Sequence, residues 1–448
     1  MVAQLGLLLV FHLAAHPVLT LGLLAAASLA LAFAARRLET AVHPQAAVLG
    51  VALLLRLLAL PLPATLSDDT LRYLWDGKVA RSGFNPYAHA PEAPELAPLR
   101  DEAWRRMPHR DVPTVYPPLA ITAFSIATLL PFPLLGWKIL AAGADLAACL
   151  LLLRLAGRCG LPPGRAAWYA WNPLVVLEVA GMGHVDALGV AATVGAVCFL
   201  TRRPEDGRTS PARGALCAAA GVLAKLAPLA LLPMWSRQSG RPLRFAGISV
   251  GLVAVACLPV AAVTGGVPPG LLRYGVSWEF NGPLYEPLWR LLERAGAAPF
   301  LHGALGRIEA LTGIWQGLDF LYAGLYPRFL AKAILGLGML AAVALSIRET
   351  DPVAGTGRLL GRLLLLSATV YPWYLLWVLP WAALQRRFSW LLLSALLPLC
   401  YLPAIAGIPL QPWVFLLIWG PFWAAEAWQR SGGATRRGPG VLPRGYGL

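Results

Sequence analysis

The chain has 448 residues, 58% of them hydrophobic and only 13% charged, with a mean hydropathy of +0.63. Soluble domains carry about 25% charged residues, so a soluble globular protein is excluded and a polytopic membrane protein remains. The net charge of +15 fits arginine clusters on cytoplasmic loops; the interleaved basic and aromatic residues of a nucleic-acid surface are missing, and no nucleic-acid partner is expected.

Lipid forces backbone groups to be satisfied within a segment or a closed barrel. Long Leu/Ala runs without two-residue alternation select helices, so the fold class is all-α, with about 10–13 membrane elements at ~20 residues per crossing. In chain order, Val2 to Phe33 forms one tilted helix or two passes broken near His16-Pro17, and is read as retained. Arg36 and Arg37 then mark the cytoplasmic side, and Val48 to Leu66 crosses outward. Leu119 to Leu134, crowded with prolines, is expected to re-enter or lie along the interface. That choice keeps the basic loops around Arg154, Arg158 and Arg165 and around Arg202 and Arg208 inside. Trp137 to Leu155, Ala166 to Gly181 and Ala187 to Leu200 alternate direction. Gly214 to Trp235 breaks near Lys225 and Pro228. Phe245 to Val263 and Phe329 to Ile347 flank a second external loop, and Leu359 to Leu384 is interrupted at Tyr371 to Tyr374. Two closing segments, Phe388 to Leu402 and Trp413 to Ala425, precede a tail.

Two long stretches interrupt this pattern. Residues 66–118 form the first external loop, whose stretch Ser67 to Pro118 holds eight acids and seven bases; residues 264–328 form the second, with five of each. Both are expected to carry short juxtamembrane helices. Residues 1–429 are expected to be one transmembrane catalytic domain and 430–448 a basic, disordered cytoplasmic tail. The aromatic- and proline-rich run Trp278 to Trp289 suits a membrane interface. The six cysteines (Cys149, Cys159, Cys198, Cys217, Cys257, Cys400) have no metal-ligand or disulfide spacing and read as small buried hydrophobes.

The chemistry concentrates where the first loop begins. Asp68 and Asp69 directly follow an apolar run, and carboxylates at a membrane edge are functional hypotheses by default. On helical spacing Asp69, Arg72 and Asp76 share a face, and Asp68, Arg72 and Trp75 nearly share one. A carboxylate placed there can accept a proton from an incoming hydroxyl; a salt-bridged helix lying on the membrane would give the same spacing. Asn85-Pro86-Tyr87 and Tyr116-Pro117-Pro118 hold an aromatic on a rigid turn, able to line a sugar pocket or simply to shape the loop. His184 and Asp186, with Glu178 nearby, form a polar helix end, and a lone HxD lacks the further ligands of a metal site. Lys225 stands alone in an apolar run beside a break, suited to neutralising a lipid phosphate. Arg56 could do the same, while Asp145 reads as an interhelical contact.

Together SDDTLRYLWDG, GFNPYAHAP and TVYPPL resemble the first external loop of bacterial polyprenyl-phosphate-dependent mannosyltransferases of the GT-C superfamily, glycosyltransferase family 87 and its relatives. The likeness continues in WNPLVVLEVAGMGHVDAL, LAKLAPLALLP and YPWYLLWVLP, in the same order along the chain. The resemblance implies a lipid-linked sugar donor, inversion at the anomeric carbon and a catalytic acid early in the first loop. Carried onto this chain, the base is Asp68 or Asp69; Asp68 is preferred because relatives place the carboxylate about two helical turns before the aromatic here occupied by Trp75. Arg72, Trp75, Asp76, Asn85, Tyr87, Tyr116, Glu178, His184, Asp186, Tyr371 and Trp373 would line the site, with Lys225 facing the donor phosphate. No cofactor or metal is required, since a phosphate monoester leaves readily.

The expectation is therefore a plasma-membrane enzyme, active on the extracytoplasmic side, that moves mannose from a polyprenyl phosphate to a glycan or glycolipid hydroxyl. The alternatives are a lipid-linked sugar flippase or transporter, disfavoured by the charged loop and the absence of repeats, and a non-catalytic assembly subunit.

Overall fold

The computed structural model describes residues 16–202, 207–312 and 324–431; the expectations for the first part of Val2 to Phe33 and for the tail from 432 onward lie outside them. Among the described residues the chain is all helix and connecting loop, as an all-α polytopic membrane protein. Five helical stretches are long and apolar enough to cross a membrane: Pro17–Glu39 (α1), Pro133–Arg158 (α5), Pro242–Thr264 (α8), Pro327–Ser346 (α12) and Phe388–Ala406, the last beginning with α14 (Phe388–Leu396). Between them lie α2 (Gln45–Ala59), α3 (Asp69–Arg81), α4 (Pro118–Ala127), α6 (Asp186–Leu200), α7 (Pro211–Ala224), α9 (Pro269–Ser277), α10 (Tyr285–Arg294), α11 (Ala297–Thr312) and α13 (Pro352–Leu366), and α15 (Phe415–Arg430) closes the chain.

Proline starts many of these helices. It stands in the first turn of α1, α4, α5, α7, α8, α9, α12 and α13, where its fixed φ is already helical and its missing N–H has no partner to lose. Asp351 adds a side-chain cap to α13, accepting from the Val353 and Ala354 amides. Elsewhere proline and asparagine break a pass. The stretch Ala167–Gly181 is two single turns separated at Asn172-Pro173 and followed by a wide π turn over Leu177–Gly181.

The bundle has two distinct ends. At one, Glu39 just beyond α1 contacts Arg165, Arg386 and the Trp168 indole, and Glu426 of α15 holds Arg387 and Arg430. At the other, the two large loops meet: Arg273 of α9 pairs with Asp111, and Trp278 packs on His109. Because Arg165 sits beside Glu39, α5 alone connects the two ends in this region. The ten residues of α4 measure about 15 Å, half of the ~30 Å hydrocarbon layer, so 119–134 does not cross.

The core is built by α5, α6 and α7 packed side by side, with α2 against α5 and α13 against α12. A deep ion pair joins α2 to α5. Arg56 donates to Asp145 (Nε···Oδ2 2.8 Å), Tyr169 donates to the same carboxylate, and neither charged side chain has any exposed surface. Asp145 is thus the interhelical contact expected of it. Arg56 is not: it is locked inside the bundle and cannot meet a lipid phosphate. The run Trp278 to Trp289 also departs from expectation, because Tyr285 and Trp289 are buried against α12 rather than spread at an interface. Beside them Glu279 meets Lys332 (3.1 Å) and Arg328. Burial alone would raise its carboxyl, but the Tyr285 hydroxyl, Lys332 and Arg328 outweigh it and hold the group below the usual range.

Candidate functional site

A cavity of about 610 Å³ lies between the two loops and the ends of α6, α7 and α13. Each of its chemically active groups is delivered by a local interruption of helix. The turn after α2 leads into Asp68 at the N-cap of α3 and Asp69 in its first turn. That turn is fixed from below by Lys138 of α5, whose ammonium donates to the carbonyls of Leu60 (2.6 Å) and Leu62 (2.7 Å).

Asp69 is anchored on the protein side. Tyr73, one helical turn on, donates to its Oδ2 at 3.3 Å, and His184 Nδ1 stands 3.7 Å from the same oxygen. The other imidazole nitrogen lies 3.2 Å from Glu178 Oε2, and Tyr401 donates to Glu178 Oε1 at 2.6 Å. Tyr401, Glu178, His184 and Asp69 therefore form a line of polar groups from the bundle interior to the cavity. His184 and Glu178 are wholly buried, whereas the Asp69 side chain keeps 35% of its surface. The π turn creates this line: Met182 N–H reaches the Leu177 carbonyl, and Gly183 takes a left-handed φ of +79°. Asp68, one residue earlier, is exposed to the cavity, and its side chain has no hydrogen-bond or ion-pair partner among the described residues.

Across the cavity, α7 stops at Ala224 and Lys225 is extended, with Pro228 blocking the ladder beyond it. Its ammonium lies 3.3 Å from Asp186 Oδ2 and between the rings of Tyr116 and Tyr374, 5.7 and 5.6 Å from their centroids. The other oxygen of Asp186 accepts from the Trp377 indole at 2.7 Å. A side chain at Gly189, one turn along α6, would run into that indole. Leu360, Leu363 and Leu364 of α13, Met339 of α12 and Ala404 make the remaining wall aliphatic.

Aromatic rings complete the lining. Phe280, Tyr371, Trp373 and His184 form a column of near-parallel rings, with successive centroids 4.6, 4.6 and 3.9 Å apart. Tyr274 of α9 touches Tyr374 hydroxyl to hydroxyl. Burial raises the Tyr274 hydroxyl above its ordinary range; the contact with Tyr374 opposes this, and Tyr371, Asp69 and Asp186 add to it.

The structure thus brings Asp68, Asp69, Arg72, Tyr116, Asp186, Lys225, Tyr371 and Trp373 to one cavity, with His184 and Glu178 directly behind it. Arg72 spends its guanidinium on Asp76 and on the carbonyls of His109 and Val112, so it fixes the loop while lining the cavity. The other expected residues do not line it. Asp76 is buried under the loop, where burial raises its carboxyl and Arg72 opposes the rise. Trp75 belongs to a small apolar cluster with Val79, Leu96 and Met107. Asn85 turns the chain by accepting from the Tyr87 amide, and Tyr87 donates to the Tyr116 carbonyl. His109, Tyr274, Trp278, Tyr374 and Trp377 line the cavity and were not anticipated. Among the described residues no three His, Cys, Asp or Glu side chains are grouped to hold a metal ion.

A family model described as alpha-(1->6)-mannopyranosyltransferase, N-terminal domain, matches residues 2–237. The chain belongs to this family. The match runs from α1 through α7, so it takes in both cavity walls that carry Asp68, Asp69, Asp186 and Lys225. The protein is a membrane glycosyltransferase that transfers mannose, and the transporter and assembly-subunit readings are set aside. No curated protein and no solved structure matches this mannosyltransferase.

Proposed function

We propose that the enzyme takes mannose from a polyprenyl phosphate and forms an α-(1→6) bond to a hydroxyl of an extracytoplasmic glycan or glycolipid. One observation carries the reading: a single cavity presents a fixed carboxylate, an ammonium and an aliphatic wall. A sugar phosphate on an isoprenoid chain has the complementary parts, and a water-soluble nucleotide sugar has no use for the aliphatic wall.

In this reading Asp69 is the general base. Tyr73 orients it by a hydrogen bond, with the His184 ring 3.7 Å behind, and a proton acceptor needs a fixed orientation at the moment of attack; the Asp68 side chain, free at the helix cap, has no such support. The acceptor oxygen gives its proton to Asp69 as it attacks the anomeric carbon. The carbon–oxygen bond to phosphate breaks on the opposite face, inverting the centre. Lys225 lies where negative charge grows on the departing phosphate, and a charge fixed in advance costs no reorganisation. The basic end of the bundle is then cytoplasmic, which puts the cavity on the outer side of the plasma membrane.

The test uses purified enzyme in vesicles with an α-(1→6)-linked dimannoside acceptor. Radiolabelled polyprenyl-phosphate mannose is expected to give a trisaccharide, and GDP-mannose none. Lys225→Gln is expected to lower kcat by about 10²-fold, the loss typical of one electrostatic group at a developing charge. Transfer from GDP-mannose alone would overturn the donor assignment.

A further inference from the structure

The cavity is chemically lopsided. One wall is aliphatic and suits the donor's isoprenoid, as proposed above. The lining at the seam of the two loops has a different surface. Tyr274, beside Tyr374 and within the field of Asp69 and Asp186, is followed one helical turn later by Trp278, ring centroids 5.2 Å apart. Trp278 in turn lies 4.6 Å from the exposed His109 ring. Three rings therefore lead from the carboxylates to bulk water. Pyranose rings present apolar C–H faces that pack on aromatic faces, while their hydroxyls stay free for polar partners.

This arrangement is built rather than incidental. The carbonyl of His109 accepts from Arg72, and His109 itself has a left-handed φ of +53°, a conformation uncommon outside glycine. Gly270 packs against the backbone carbonyl of Thr114 so closely that a Cβ would stand 2.7 Å from it, which seats α9 on the first loop. The Trp278 indole N–H has no partner among the described residues and so is free to donate to a sugar oxygen.

We infer that Trp278, with Tyr274 and His109, is the acceptor subsite: a platform for a pyranose whose reactive hydroxyl reaches inward to the carboxylates while the remainder of the glycan leaves through the loop seam. The inference rests on the proposed transfer only for its direction, because the platform itself predicts carbohydrate binding whatever the donor. Its recognition is of sugar faces rather than charge.

Equilibrium binding of an octyl α-(1→6)-dimannoside to the purified enzyme, read without donor, separates the two. Wild type is expected to bind, Trp278→Ala to bind about fivefold or more weakly, the loss of one aromatic contact, and Trp278→Phe to recover most of the difference. An equal thermal unfolding midpoint for the three proteins shows that the fold is intact; His109→Ala serves as the second variant should Trp278→Ala unfold. Undiminished binding by both alanine variants, or no binding by wild type, overturns the subsite. Binding lost in Trp278→Ala with no transfer by wild type from the lipid donor leaves the subsite standing and sinks the donor reading instead.

Discussion

Asp145 bears the cost of an ionised group in the middle of the bundle. Its carboxylate is answered by Arg56 on one oxygen and by Tyr169 on the other, and all of these groups are buried. Removing one member leaves a charge with no partner in a dry interior, a loss of about 3–5 kcal/mol, while replacing both charges with apolar groups of similar volume is often neutral. Asp145→Leu is therefore expected to lower the unfolding midpoint sharply, and Arg56→Met with Asp145→Leu to recover most of it. Detergent-solubilised thermal unfolding of the three proteins checks this. Equal midpoints for Asp145→Leu and the wild type would show that the pair carries no stability. Two lone bases in apolar runs, Arg56 and Lys225, differ as sequence only in the proline-marked break beside Lys225. What separates them is tertiary: Arg56 points across to α5, whereas Lys225 occupies a helix break that opens on the cavity. For the same reason the Glu178–His184–Asp69 line was legible only as a set of nearby polar residues. Asp69 and His184 are over a hundred positions apart, and no local spacing connects them.

At the scale of elements, helix interruptions aim the chemistry and glycines set how closely its supports approach. Gly77 of α3 lies against the backbone of α4, where a Cβ would stand 2.5 Å from the Phe124 carbonyl carbon. No side-chain motion relieves such a contact, so Gly77→Ala must push α3 away from α4. Asp69 begins α3, two turns earlier, and moves with it. A displacement near 1 Å at reacting groups can cost about 10²-fold in rate, so Gly77→Ala is expected to lose about 10–100-fold in kcat while remaining folded. Steady-state transfer with a matched unfolding curve is the check; wild-type kcat would show that the crossing does not position the base. The breaks at Lys225 and Tyr371, both marked by proline, were readable in advance. The aromatics of the second loop were not. Trp278 opens a stretch that reads as a membrane interface and Tyr274 precedes it unmarked, and only the closure of that loop over the first reveals that both face a cavity.

Over the whole molecule, hydropathy and proline together give the all-α membrane architecture, and the charge of the loops separates its two ends. The short α4 is the instructive case. Its apolar composition suits a crossing, yet prolines at 117, 118, 131 and 133 cut it to half the needed length, and the Glu39–Arg165 contact at the opposite end of α5 agrees. With the basic end on one side, the groups proposed to carry the transfer fall at the other. The account stands on Asp69 as the proton acceptor in that cavity. Its most direct test is the single-turnover transfer rate from polyprenyl-phosphate mannose to the dimannoside by Asp69→Asn and Asp68→Asn, each against wild type. Loss of a general base costs about 10²–10⁴-fold, so Asp69→Asn is expected to fall by that much and Asp68→Asn by far less; an Asp69→Asn enzyme that transfers at the wild-type rate would contradict the account.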